Sequence, residues 1–262
     1  MKKLLEIKEY LEKCFPPEYA EEFDNIGLLI GRCDKDVEKV LLCLDCNKNV
    51  VREAKDIGAQ LIISHHPVIF NPLKAVTDDN DMGEMVISAL ENGISIYSAH
   101  TNLDSAPGGI TDTVAKMLGL TPVSNMERNL GRICIAPEGT TAKTLTAKVK
   151  ETFNLGALYS TFSEDKEIRK VAICNGGGGG SLVQTAVSLG ADVYISGDLK
   201  HHEVSELKIN GTADFIEIRH YDCEIIARDI LKNKLSEKFR NEIELVISTR
   251  ECSPLIDTNE IL

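Results

Sequence analysis

Six histidines occupy four places in this 262-residue chain: His65-His66, His100, His201-His202 and His220. Carboxylates stand nearby in sequence at Asp104, Asp198 and Glu224. Imidazole together with carboxylate is the ligand chemistry of borderline divalent metals such as zinc, iron, manganese and nickel. A lone histidine near a strand end is most simply a surface or hydrogen-bonded residue. Four clusters that hold every histidine of the chain favour a metal site instead. A mononuclear site takes about three or four protein ligands. Here five to eight candidates are on offer, so two metals sharing a carboxylate and a water use the set more fully.

Something must bring these side chains together, and the sequence suggests what. Strand-like apolar runs are expected at 37–45, 61–64, 94–99, 131–136, 170–174, 192–196, 214–218 and 242–248, with helical patterns such as 49–57, 85–92, 141–153 and 224–239 between them. This alternation predicts an α/β protein with largely parallel sheets. Adjacent strand residues point to opposite faces, so His65 and His66 could not both serve one site in a continuing strand. Pro67 resolves this, because it disfavours helix at His66 and cannot donate to a ladder. The strand is predicted to stop near Ser64, freeing both imidazoles at a carboxyl edge, where open α/β sheets place ligands. His100 and His220 likewise follow predicted strands, so three strand ends are expected to deliver ligands to one rim. His220 and Glu224 are spaced as an i, i+4 pair on one helix face.

A weak internal repeat underlies this pattern. The segment from Ala54 to Ser64 aligns with that from Ala186 to Ser196, with five of eleven positions identical. Each copy leads into a histidine pair, and further on His100–Asp104 parallels His220–Glu224. The expected organisation is therefore two related α/β lobes, 1–125 carrying His65, His66, His100 and Asp104, and 126–262 carrying the glycine-rich run, His201, His202, His220 and Glu224. The stretch 121–129 is the expected boundary.

Composition narrows the field. A formal net charge of −12 argues against nonspecific nucleic-acid binding, which needs basic surface to displace counterions. No apolar run approaches the roughly 20 residues that span a bilayer. The opening MKKLLEIKEYLEKC reads as an amphipathic helix, interrupted by charges that a signal peptide lacks. Eight cysteines without an export signal point to reduced thiols and a cytoplasmic location. Cys43-Leu-Asp-Cys46 is formally a C-x-x-C, but Cys43 sits in an apolar run and reads as a buried thiol. NGGGGGS (175–181) is either a tight strand-to-helix turn or an anion cradle; it lacks the Lys-Ser/Thr of a P-loop.

Taken in order, DNIGLLIG (24–31), LIISHHPVIF (61–70), IYSAHTNLD (96–104), VAICNGGGGGS (171–181), SGDLKHHE (196–203) and HYDCE (220–224) resemble the GTP cyclohydrolase I type-two homologue family, also called NIF-three-like. The match runs over nearly the whole chain. The resemblance implies two α/β lobes with a dinuclear metal site in the cleft between them. It implies His65, His66, Asp104, His220 and Glu224 as metal ligands, with Glu224 bridging and Asp104 supporting one metal. His100 becomes an extra ligand or proton shuttle, and His201 and His202 pocket residues, with His202 a second candidate for proton transfer. Asp24 is implied as a residue behind the ligands. The resemblance also implies a ring-like homo-oligomer, often a hexamer. One departure is Arg219, where the family commonly has a small residue before the last histidine.

The expected activity is that of a dinuclear metal-dependent hydrolase, GTP cyclohydrolase-like or phosphoesterase-like, in which a metal-bound hydroxide attacks a nucleotide or related anionic small molecule. The metals are two divalent ions from among zinc, iron, manganese and nickel. The alternatives are a non-enzymatic metal-handling oligomer and a protein-interaction adaptor.

Overall fold

A computed structural model describes residues 1–255. The first of two units comprises Met1–Ala106 and Ile226–Ser253. It starts with β1 (Lys2–Lys3) and α1 (Leu4–Cys14), whose Leu4, Ile7 and Leu11 recur at helical spacing and are buried. There follow β2 (Gly27–Ile30), β3 (Asp36–Val37), β4 (Lys39–Cys43), α2 (Lys48–Ile57), β5 (Leu61–Ser64), α3 (Asp81–Glu91), β6 (Ser95–Ser98) and α4 (Thr101–Ser105).

The second unit contains α5 (Ile110–Met117), β7 (Thr121–Asn125), β8 (Arg132–Ile135), α6 (Ala142–Thr152), β9 (Tyr159–Ser160), β10 (Lys170–Gly177), α7 (Ser181–Ser188), β11 (Val193–Gly197), α8 (His201–Asn210), β12 (Asp214–Glu217) and α9 (His220–Glu224). The chain then returns to the first unit as α10 (Ala227–Phe239) and β13 (Glu244–Ile247).

The first sheet has the order β13-β4-β5-β6-β2, parallel except for β2, which runs antiparallel to β6. Val40, Leu41, Leu42 and Cys43 of β4 are all fully buried, as expected of a parallel strand covered on both faces. The second sheet has the order β7-β8-β10-β11-β12-β9, with β10, β11 and β12 parallel and the outer strands antiparallel. The eight predicted strands therefore exist, and the fold is α/β with one sheet in each unit.

Three sequence expectations change. The chain does not divide simply near 125: the units meet in sequence at 106/107, and 226–253 belong to the first. The cause is pairing, since β13 runs parallel to β4 from Glu244↔Lys39 to Ile247↔Leu42. Nor does 121–129 mark the boundary, because Thr121–Asn125 form an edge strand on β8 inside the second unit. All five of its residues are exposed and Pro122 lies among them, a composition suited to an edge. Finally, the histidine-bearing strands do not belong to one sheet: β5 and β6 lie in the first and β12 in the second.

The repeat has a structural counterpart. In both copies a helix ends at a left-handed glycine, Gly58 (φ 69°) or Gly190 (φ 72°), and a parallel strand follows. Gly58 caps α2 in the conformation that glycine adopts at least cost.

The end of β13 is fixed by a buried carboxylate. Glu53 on α2 accepts hydrogen bonds from Ser248 Oγ (2.5 Å), Thr249 N (2.9 Å), Thr249 Oγ1 (2.8 Å) and Arg250 N (3.2 Å). Burial alone pushes this carboxyl up, yet the four donors outweigh it and hold the acid below its ordinary 4.5. A folded-state value below the unfolded one contributes stability that is present above pH 4.5 and lost as pH falls through the folded-state value. Glu53→Gln is therefore expected to lower the urea midpoint at pH 7, with the gap to wild type closing as pH falls below the ordinary 4.5. A gap independent of pH would contradict this account.

Candidate metal-binding site

Within the first unit, β4, β5 and β6 end side by side, with Ser64 opposite both Cys43 and Ser98. The ladder to β4 persists briefly beyond the strand, as His65 N bonds Cys43 O (3.2 Å) and His66 N bonds Leu44 O (3.0 Å). Ser64 Oγ then donates to His66 O (2.8 Å) and lies 2.8 Å from Ser98 Oγ, fixing the turn into Pro67. The strand stops where Pro67 predicts, and both imidazoles reach the same side.

Each ring is anchored through Nδ1. For His65, fully buried, Nδ1 lies 2.8 Å from Ala99 O. A carbonyl only accepts, so Nδ1 carries the proton and Nε2 the lone pair. His66 Nδ1 lies 2.7 Å from Asp45 Oδ1, and His100 Nδ1 lies 2.8 Å from Asp24 Oδ1. Asp24 also accepts from Thr101 N (3.0 Å) and Thr101 Oγ1. Burial opposes ionisation of Asp24, but His100 and Thr101 bring its carboxyl down to about 2.

The three rings converge, with centroids 4.9, 5.2 and 5.5 Å apart. One nitrogen from each lies within 4.8 Å of the others, a spacing that could hold a metal ion. Asp104, buried on α4, brings Oδ1 to 3.5 Å from His65 Nε2.

The second unit repeats the device. His220 opens the five-residue α9 and Glu224 closes it, so the predicted i, i+4 pair is formed with Nε2 and Oε2 2.8 Å apart. His220 Nδ1 lies 2.7 Å from Asp198 Oδ2. Asp198 adopts a left-handed backbone (φ 55°), which aspartate tolerates better than most residues. Glu224 is buried; Asn175 Nδ2 donates to its Oε1 (3.1 Å), and Thr111 Oγ1 donates to Asn175 Oδ1 (2.5 Å). This chain of donors fixes the Glu224 carboxylate.

The glycine-rich run is explained largely by packing. A Cβ on Gly176 would lie 2.1 Å from Glu224 Oε1, and one on Gly178 would lie 2.2 Å from Tyr194 Oη. Three of the amides already have partners: Gly176 N on Cys223 Sγ (3.2 Å), Gly178 N on Gly197 O (3.3 Å) and Gly180 N on Glu203 Oε1 (2.5 Å). The tight-turn reading therefore accounts for the run, with Glu203 supplying the carboxylate at Gly180.

His201 and His202 lie apart from this arrangement. Ser64 is followed at once by His65-His66, whereas Ser196 is followed by Gly197-Asp198 and reaches His201 only after four intervening residues. Asp198, rather than a histidine, thus takes the place corresponding to His66. His201 and His202 are exposed on the first turn of α8, with His201 lining a shallow groove beside Thr161, Phe162 and Lys208. Arg219 Nε pairs with Asp222 Oδ2 at 2.5 Å. Cys43 is fully buried, which pushes its thiol well up and removes it from thiolate chemistry at neutral pH.

Sequence reasoning passed over Asp45 and Asn175. Asp45 had one available signal: it follows β4, whose end neighbours the β5 end bearing His66. Asn175 had none beyond its place before the glycines.

The donor set suits a metal. Metal-binding histidines characteristically donate the second ring N–H to a carboxylate or carbonyl, which fixes the tautomer and ring orientation. His65, His66, His100 and His220 all have Nδ1 on such an oxygen.

The family model for Duf34/NIF3 (NGG1p interacting factor 3) matches residues 2–254. A GTP cyclohydrolase 1 type 2 homolog of Clostridium perfringens is 34% identical over 260 residues, covering 96% of this chain and 98% of that protein. Its counterpart in Lactococcus lactis is 36% identical over 251 residues, covering 94% and 96%. The crystal structure of Staphylococcus aureus protein SA1388 superposes with a TM-score of 0.86 at 29% identity, covering 97% of this chain and 99% of that one. On this likeness, which extends through both units, the chain belongs to the Duf34/NIF3 family.

Proposed function

We propose that the protein is a metal-dependent hydrolase in which His65, His66, Asp104, His220 and Glu224 serve one dinuclear centre. The observation that carries this reading is the shared anchoring of four imidazoles through Nδ1. Two divalent ions held there would supply a more acidic water and would draw charge from an electrophilic carbon or phosphorus.

The protein's own groups do the rest. Asp45 and Asp198 aim His66 and His220, and the Ala99 carbonyl aims His65. Glu224, steadied by Asn175, would serve as the carboxylate that holds metal in this part of the centre. Asp24 keeps Nδ1 of His100 protonated, so His100 exchanges its proton at Nε2.

The substrate class is a small anionic molecule. The names of the C. perfringens and L. lactis relatives make ring opening of a guanine nucleotide the first reaction to test. A phosphoester is the second. With a net charge of −12, an anion needs local compensation, which the metals and Arg219 would provide.

The test is elemental analysis of the purified protein beside a panel of nucleotides, phosphoesters and cyclic amides. About two divalent ions per chain are expected, with turnover that stops on chelation and returns when metal is restored. Readily exchanged metal without any turnover would support metal handling instead.

A further inference from the structure

Two phenylalanines beside the histidine cluster are left uncovered. Phe23 is 64% exposed and Phe70 is 45% exposed, yet they face each other with ring centroids 6.3 Å apart and planes tilted by 58°. Phe70 in turn meets the His100 ring edge-on at 6.3 Å and 84°. An apolar ring pair continuous with a polar, ligand-bearing cluster is how small-molecule sites combine grip with chemistry.

The loops carrying the rings are tied to the residues that orient His100. Asn25 Nδ2 donates to Ile69 O at 2.6 Å, joining the segment after Phe23 to the one before Phe70. Asp24, next to Phe23, holds His100 Nδ1, and Glu21 N donates to Thr101 Oγ1 at 2.9 Å. The rings are therefore placed at a fixed distance from His100, which two stray surface phenylalanines would not be.

We infer that Phe23 and Phe70 form the platform on which the planar, conjugated ring of the substrate stacks, presenting its edge to the histidine cluster. This rests on reading that cluster as the reactive centre. Phenylalanine offers a π-face and no hydrogen-bonding group, so it selects flatness and conjugation, whereas a sugar or an aliphatic chain gains little. The tilt between the rings suits a flat ligand laid on Phe70 with Phe23 closing over its outer part.

The test is direct binding, independent of turnover. The chain has no tryptophan, so the fluorescence of 2-aminopurine riboside, which is quenched on stacking, is read with little background. Wild type is expected to quench it saturably, and ribose alone should not compete. Phe23→Ala, Phe70→Ala and Phe70→Leu should each weaken binding on the order of tenfold, while Phe70→Tyr stays within about threefold. Metal content and melting temperature should be unchanged in all four variants. Repeating the titration after chelation separates the two readings: a protein that binds no metal but still shows the phenylalanine-dependent quenching refutes the centre and keeps the platform. Absence of saturable quenching in wild type overturns the platform. So does quenching that survives in the alanine variants, whether or not light scattering shows them dissociating as a lost self-association surface would.

Discussion

Replacing Glu224 with glutamine is expected to lower divalent-metal affinity by more than about 100-fold and to abolish any hydrolytic turnover, while leaving the fold in place. The substitution keeps side-chain volume in a buried position and keeps an oxygen to accept from Asn175 Nδ2. It removes the charge and one strong donor oxygen, and a neutral amide is a poor ligand for a borderline metal. Asp45→Asn is the graded comparison. Asp45 touches His66 Nδ1 rather than offering a ligand itself, so its loss should reduce metal affinity by roughly 10- to 100-fold. Elemental analysis after dialysis at a series of free metal concentrations ranks the two variants. A Glu224→Gln protein with full metal content would remove Glu224 from the centre, and equal losses in both variants would deny the separate roles.

The second large effect comes from a residue with no side chain. Gly176 has φ 65°, and a Cβ there would lie 2.1 Å from Glu224 Oε1, 3.0 Å from Glu224 Cδ and 3.2 Å from His220 Nε2. Gly176→Ala must therefore strain the backbone, at about 1–2 kcal/mol, and also displace a ligand pair. The expected result is a lower melting temperature together with metal affinity reduced on the order of 100-fold. Gly180→Ala is the control, because Gly180 has φ 68° with nothing within 4 Å of its added Cβ. It should show the backbone cost alone, with metal binding intact. Equal metal affinity in the two alanine variants would show that contact with Glu224 and His220 does not matter.

The histidines were legible because composition concentrates them and Pro67 marks where a strand must end. His220 and Glu224 were legible because helical spacing is a local property of the chain. Eight strands could be read from apolar runs for the same reason, and buried parallel strands such as β4 give the clearest runs. What escaped was non-local. Thr121–Asn125 carries no apolar pattern because all of it faces solvent, so only its pairing with β8 makes it a strand. Asp45 becomes an orienting group only once β4 lies beside β5, a register no sequence window contains. The histidine pairs at 65–66 and 201–202 looked equivalent because composition repeats, yet their distances from the matching serines differ by four residues. That offset moves the second pair into α8 and puts Asp198 in its place.

The return of β13 to β4 has a bearing on how the polypeptide is made. The strands of the second sheet all lie between Thr121 and Glu217, so a ribosome that has released this stretch has supplied that sheet in full. The first sheet, although four of its five strands emerge earlier, still lacks a member until residues 244–247 appear. During that interval β4 presents a bare parallel edge beside some of the most apolar residues of the chain, Val40 to Cys43. The part of the protein translated first is thus the part completed last, and its unfinished edge is the nascent chain's point of exposure to misassociation and to chaperones.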